Sequence, residues 1–350
     1  MAYSSIVKPS VYFNNKLWTG NGNSSHAQTG VGFQPDLVWL KARSESEYHF
    51  LFDAIRGATK GISSDLTAAE ATYAQGLKSF DSDGFTIGTS NGMNRSGTTY
   101  ASWNWKANGQ GSANTDGSIN TTYTSVNTTA GFSISKYTGT GNAGTVGHGL
   151  GVAPKMIIIK NISQTTDWVL GHQELDASAP WTKYLKLNDT SAVLDSPVFN
   201  DTAPTNSVFS VGADGKTSSG AGSHVAYCFA EKKGYSKFGS YKGNGNADGT
   251  FIYTGFKPAF VIVKIAEHTG NWQLFDNKRV GYNQDNHVLR PNLNNAECTS
   301  CVEIDILSNG FKLRNTDGDG NTVNNKYLYM AFAEEPLVAN VGASIPATAR

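Results

Sequence analysis

Hydrophobic and polar residues alternate in three stretches that read almost alike: Tyr100-Ala101-Ser102-Trp103-Asn104-Trp105, Val225-Ala226-Tyr227-Cys228-Phe229-Ala230 and Leu328-Tyr329-Met330-Ala331-Phe332-Ala333. A period of two predicts strands, with Trp103 and Trp105, Tyr227 and Phe229, and Met330 and Phe332 on a core-facing side. A second shared strand lies just upstream: Gly84-Phe85-Thr86-Ile87, Val208-Phe209-Ser210-Val211 and Gly310-Phe311-Lys312-Leu313. Polar, glycine-containing loops between the two strands have hairpin composition. Further upstream each copy has a glycine turn (Thr19-Gly20-Asn21-Gly22, Thr138-Gly139-Thr140-Gly141, Lys242-Gly243-Asn244-Gly245), then Pro35, Pro154 or Pro258 and an apolar run ending in Lys41, Lys160 or Lys264. Leu51-Phe52-Asp53 matches Leu274-Phe275-Asp276, and Trp168 matches Trp272. Only the stretch 68–80 has helical spacing, through Ala69, Tyr73, Leu77 and Phe80.

A repeat of about a hundred residues is too long for a solenoid and suits tandem domains. The expected organisation is an N-terminal arm (1–14), three repeats (15–107, 131–233 and 234–336), a Gly/Ser/Thr/Asn linker (108–130) and a C-terminal tail (337–350). Many short strands joined by glycine turns predict an all-β chain of three β-sandwich, jelly-roll-like domains with at most short helices.

Lys plus Arg and Asp plus Glu balance at 28 each, and charged residues are only 16% of the chain. No Lys/Arg cluster offers the basic face that nucleic acid requires, so no nucleic-acid partner is expected. Seventeen Phe, fifteen Tyr and seven Trp argue for packed cores rather than disorder. Three cysteines are too few for a disulfide framework. The opening Met1-Ala2-Tyr3-Ser4-Ser5 has neither a basic start nor an apolar stretch, and no run reaches membrane-spanning length. Synthesis in a cytoplasm without membrane insertion is the expectation.

Candidate chemistry is sparse. Gly139-Thr140-Gly141-Asn142-Ala143-Gly144 fits a dinucleotide fingerprint, but a proline and a strand follow where a helix should start. Asp317, Asp319 and Asn321 resemble half of a calcium loop, but Leu328 stands where the bidentate carboxylate belongs, leaving them weak metal candidates. Cys298 and Cys301 have the spacing of half a zinc site, without a second pair, and read as incidental thiols. Asp53 and Asp276 occupy equivalent places in different repeats, so they read as cement, with Arg56 and Arg279 as partners, rather than as a hydrolytic pair. His148 sits in a glycine turn with no nucleophile motif in the chain. Most tryptophans fall at repeat-equivalent core positions; Trp181 has no equivalent and is expected at the surface, the one pointed ligand-contact candidate. No cofactor and no catalytic residue is expected.

The strings Phe33–Lys41, Leu51–Lys60, Ser79–Gly88, Gly234–Gly245, Gly310–Arg314 and Tyr329–Glu334 resemble a family of β-rich virion proteins from marine tailed phages, over about residues 11–336. The resemblance implies a virion structural protein, assembled in the bacterial host cytoplasm among other virion proteins, with a homo-oligomer such as a trimer as its form. A tail-fibre or tail-tip appendage contacting host surface glycan is the first expectation. A capsid decoration or head-fibre protein is the alternative, and a polysaccharide-degrading enzyme is the reading from another class. The resemblance carries over no catalytic residues. No coiled-coil heptads or collagen-like run is present, which favours a compact appendage over a long fibre.

Overall fold

The computed structural model describes residues 4, 6–301 and 303–337. It is all-β, and helix is confined to single turns such as Asn91–Asn94 and Gly215–Ser218. Each repeat folds as a unit of one large and one small antiparallel sheet. In unit 1 the strand Phe13–Thr19 pairs with the last strand Thr99–Trp105, which pairs in turn with Leu37–Ala42 and then Phe50–Asp53. Unit 2 repeats this order through Phe132–Thr138, Ser223–Phe229, Met156–Asn161 and Val169–His172. Unit 3 does so through Ser236–Lys242, Lys326–Pro336, Phe256–Ile265 and Gln273–Asp276. The small sheets are built on Gly84–Ile87, Val208–Val211 and Gly310–Leu313.

Within unit 1 the two sheets enclose Trp18, Val38, Leu40, Phe52, Phe85 and Tyr100. Unit 2 encloses Tyr137, Ile157, Ile159, Phe209 and Val211 in the same manner. The opposite face of each large sheet is buried too, against the other units. Strands buried on both sides read as continuous apolar runs, which is why Met156–Asn161 and Leu37–Ala42 show no exposed position. Trp105, Phe229 and Phe332, one from each unit, meet at the centre: ring centroids lie 6.5, 5.7 and 6.0 Å apart for Trp105–Phe229, Trp105–Phe332 and Phe229–Phe332. Phe13, Phe238 and Phe260 close around them. The units are therefore grouped about one shared aromatic core, an approximate threefold made by a single chain.

Local devices recur with the same geometry. Trp18 stacks on Tyr100, Tyr137 on His224 and Tyr241 on Tyr327, each pair tilted by 11°. Lys41, Lys160 and Lys264 are buried, and each ammonium donates to the next residue's carbonyl, at 2.7, 2.6 and 2.7 Å. Burial brings each lysine down to about 8. Each glycine turn is tied to the short turn before the last strand: the Gly22, Gly141 and Gly245 amides donate to the Asn94, Ser218 and Asn321 carbonyls at 2.9, 2.8 and 2.9 Å.

Three expectations change. The stretch 68–80 is not helical; it holds the strand pieces Ala71–Thr72 and Leu77–Asp81 around a turn, and Tyr73 packs edge-on against Phe50 and Phe52. Segment 108–130 is not a loose linker. Its start is fastened to unit 1 by Asp36, which accepts from the Ala107 and Gly109 amides at 2.6 and 3.0 Å. Its residues Thr121–Asn127 then form an added strand on the unit 2 sheet. The arm is part of the core, since Ile6 is buried and Tyr12 meets Tyr235 edge-on. Of the tail, only Leu337 lies within the described residues.

Candidate functional site

The junctions between units run in a cycle, and each starts from the end of the fourth large-sheet strand. At the unit 1–unit 2 junction Asp53 accepts from Arg56 Nε at 2.5 Å and from the Tyr227 hydroxyl at 2.7 Å, with no exposed side-chain surface on Asp53 or Arg56. At the unit 3–unit 1 junction Asp276 accepts from Arg279 Nε at 2.5 Å and from Trp103 Nε1 at 3.0 Å. Burial pushes the Asp276 carboxyl up, but the Arg279 guanidinium and two backbone amides outweigh it, so it is held below the ordinary carboxylate value. At the unit 2–unit 3 junction the equivalent residues are His172 and Leu175. His172 Nε2 lies 3.4 Å from the Tyr329 carbonyl, and burial lowers this imidazole to about 4.

This third junction also departs from the pattern on its outer side. At the unit 3–unit 1 junction the residues after Asp276 bridge the seam and narrow it to a depression of about 240 Å3: Asn277 Oδ1 accepts from Asn15 at 3.0 Å, and Lys278 Nζ donates to Asn14 Oδ1 and the Asn15 carbonyl at 2.8 and 2.7 Å. The corresponding residues of unit 2 are Gln173 and Glu174. Gln173 still reaches across, donating to the Phe238 carbonyl at 2.6 Å, but Glu174 makes only a long contact of 3.4 Å with Ser240. What remains is an open groove of about 460 Å3. Its walls are the strand Ser236–Lys242 and the small-sheet strand Phe251–Tyr253, and its rim carries Glu174 and Glu231.

Two features distinguish this groove from a packing defect. Phe251 and Tyr253 are 44% and 47% exposed side by side along one wall, whereas most aromatics among the described residues are buried. Tyr329 lines the groove and is only 4% exposed, yet its hydroxyl makes no hydrogen bond among the described residues. Burial and the nearby Glu231 and Glu174 carboxylates push this phenol well above its ordinary value, so it stays protonated. Gly239 gives access to it, because a Cβ there would lie 2.6 Å from the hydroxyl oxygen. The volume falls within the range of about 300–1,000 Å3 usual for small-ligand sites.

A family described as a domain of unknown function, DUF7483, matches residues 8–336. The chain is a member of that family. The match takes in all three units and both halves of the groove, so the family's domain is the whole three-unit block. No curated protein and no solved structure matches the chain significantly.

The residues singled out from sequence lie elsewhere. Trp181 is not at the surface: it is 6% exposed and packs edge-on against Phe199 at 5.3 Å, where the absent side chain of Gly171 makes room. An indole held this way has no face to offer a ligand. The glycines of 139–144 lie between two strands, and the Gly139, Thr140 and Gly141 amides already donate to the Gly222 carbonyl, Ser218 Oγ and the Ser218 carbonyl. Asp319 is engaged by Asn271 and Gln273, Asp317 caps the Asp319 amide, and the Asn321 side chain donates to three backbone groups or side chains of its own unit. No group of three or more His, Cys, Asp or Glu suited to a metal occurs among the described residues. His148 is a turn stitch, accepting from the Leu150 amide at 3.1 Å, and burial lowers it. Cys298 and Cys301 are joined as a disulfide rather than left as thiols. This closes a loop whose Glu297 clamps Arg43 of unit 1 and Arg279 of unit 3, at 2.9 and 2.8 Å. None of these residues lines the groove. A comparison of the three copies at the positions after Asp53, His172 and Asp276 was the one signal for it: they read Ala54-Ile55, Gln173-Glu174 and Asn277-Lys278.

Proposed function

We propose that this protein is a bacteriophage virion structural protein, a tail-fibre or tail-tip appendage whose groove between units 2 and 3 contacts glycan on the host surface. The observation that carries the reading is the solvent-facing pair Phe251 and Tyr253 beside hydrogen-bonding groups, on a block whose three units share one aromatic core. Sugars present C–H faces that pack on aromatic rings and hydroxyls that pair with carboxylates, amides and phenols, and this wall offers both. The shared core suits a display role, because a site between two units keeps its shape only if the units do not move against each other. Several copies on one particle would compensate for a weak single site. The block contacts other virion proteins and needs no cofactor in this reading.

The test is location together with adhesion. Antibody labelling of particles of the encoding phage should decorate the tail, and the purified chain should bind the envelope of its host. Decoration of the head together with a blank glycan panel would reject the proposal in favour of a capsid decoration or head-fibre role. The glutamate pair in the groove also supports a second reading, a polysaccharide-degrading enzyme. Release of new reducing ends from host polysaccharide, lost in Glu174→Gln, would favour that reading over plain binding.

A further inference from the structure

We propose that the groove is a two-compartment site for a neutral, hydroxyl-rich oligosaccharide of at least two sugar residues, bound across Tyr253; this rests on the reading of the protein as a glycan-contacting appendage.

A second depression of about 210 Å3 adjoins the main one. Glu231, Lys237 and Tyr253 line both, so Tyr253 forms the ridge between them. The Lys237 ammonium lies 5.5 Å from the Tyr253 ring centroid and braces it from one side. A ring braced in this way and still 47% exposed is a stacking platform that loses little freedom when a ligand arrives. The far depression adds Lys233 and the backbone at Gly234 and Gly255, polar ground for a second sugar beside the Tyr253 ring.

The charge of the ligand follows from the near compartment. Glu174 and Glu231 both line the near compartment, and the one cation there, Lys237, is turned onto the Tyr253 ring, so the carboxylates set its charge. They accept hydrogen bonds from sugar hydroxyls and repel a uronic acid, a sulfate or a phosphodiester. The Tyr329 hydroxyl, protonated and without a partner, supplies a donor on the floor for a ring or hydroxyl oxygen. A sugar oxygen placed there pairs this donor, whereas a ligand lacking one leaves it unmatched once solvent is displaced, which makes it a selectivity element. The corresponding seam at the unit 3–unit 1 junction, crossed by Lys278, keeps only a smaller depression of about 240 Å3, whose lining has Phe13 as its one aromatic residue, and that ring is buried.

Calorimetry on the full chain with neutral gluco- and manno-oligosaccharides of one, two and four residues, and with the matching uronic-acid oligomers, tests this. The neutral tetrasaccharide should bind about tenfold tighter than the monosaccharide, and the acidic series should not bind. Tyr253→Ala should weaken binding about tenfold or more, and Tyr329→Phe by about threefold to tenfold. Tyr282→Ala, which removes an exposed ring outside the groove, should leave it unchanged. Equal affinity for mono- and tetrasaccharide, preference for the acidic series, or binding untouched by Tyr253→Ala and Tyr329→Phe would each overturn the inference while leaving the adhesion reading intact. Failure of every glycan together with failure to adhere to host envelope would overturn both.

Discussion

Replacing Phe332 with Ala should destabilise all three units together. The ring is 1% exposed and lies among Phe13 at 5.1 Å, Trp105 and Tyr235 at 5.7 Å, Phe229 and Phe238 at 6.0 Å, and Phe260 at 6.3 Å. Truncating a buried Phe costs about 3–5 kcal/mol, rising with the cavity that stays open. The upper end is expected here, because the neighbours belong to three sheets, each held by its own ladder, and cannot collapse inward independently. A loss of about 4 kcal/mol is roughly a thousandfold in the folded-to-unfolded ratio. Denaturant unfolding followed by two probes measures it. Four of the seven tryptophans (Trp18, Trp39, Trp103 and Trp105) lie in unit 1, so fluorescence weights that unit, whereas far-ultraviolet dichroism averages over the chain. Both midpoints should fall by the same amount with an unchanged slope. A fluorescence transition that stays in place while the dichroism splits into two steps would refute the shared core, since unit 3 would then unfold alone.

Three further outcomes follow from the same contacts. Asp276→Asn should cost about 3 kcal/mol in the same assay, the low end for breaking a buried pair, because Glu297 still faces Arg279 at 2.8 Å. His172 and His224 are buried and lowered to about 4 from 6.5, so between those values the unfolded chain binds more protons than the folded one. Stability should therefore fall as pH drops from 6.5 towards 4, and His172→Gln should flatten the slope in a series of midpoints across that window. Glu174→Lys, which introduces the residue type found at the narrower unit 3–unit 1 junction, should abolish oligosaccharide binding in calorimetry yet shift the unfolding midpoint little, since Glu174 makes only a 3.4 Å contact with Ser240.

The strands and their threefold recurrence were legible because period-two alternation and glycine turns are local signals. The role of Asp53 and Asp276 as cement was legible as well, through arginines three residues on that do pair with them. The side of the sheet that faces the centre was not. Trp105, Phe229 and Phe332 read as the cores of separate domains, and only chain closure over more than a hundred residues brings them together. The helical spacing in 68–80 came from a strand–turn–strand segment whose turn happens to return Tyr73 and Leu77 to one side. Trp181 lay in a proline-containing segment that looked exposed, but the single turn Pro180–Thr182 folds its indole against Phe199. Segment 108–130 has the composition of a linker because it is held by backbone pairing and by short polar side chains such as Ser118, Thr121, Thr124 and Ser125 rather than by apolar burial.

What the three copies keep and what they change separates folding from function. The stacked ring pairs, the buried lysines and the tied glycine turns are needed by every unit, and each occurs three times with nearly the same geometry. Selection for folding alone would favour keeping the junctions alike as well, since each performs the same structural task. Two of them do use the same buried Asp–Arg pair bonded to an aromatic residue of the next unit. The third replaces that pair by His172 and Leu175, and in place of the bridging Lys278 it carries a glutamate that leaves a wider opening, about 460 Å3 against 240 Å3. It also leaves the Tyr329 hydroxyl unpaired. Replacing the whole pair need not cost stability, so folding tolerates the change at this seam, and a local departure from an otherwise repeated pattern is where a site is to be sought. On that ground the departure from threefold symmetry, more than any motif, directs attention to the unit 2–unit 3 groove.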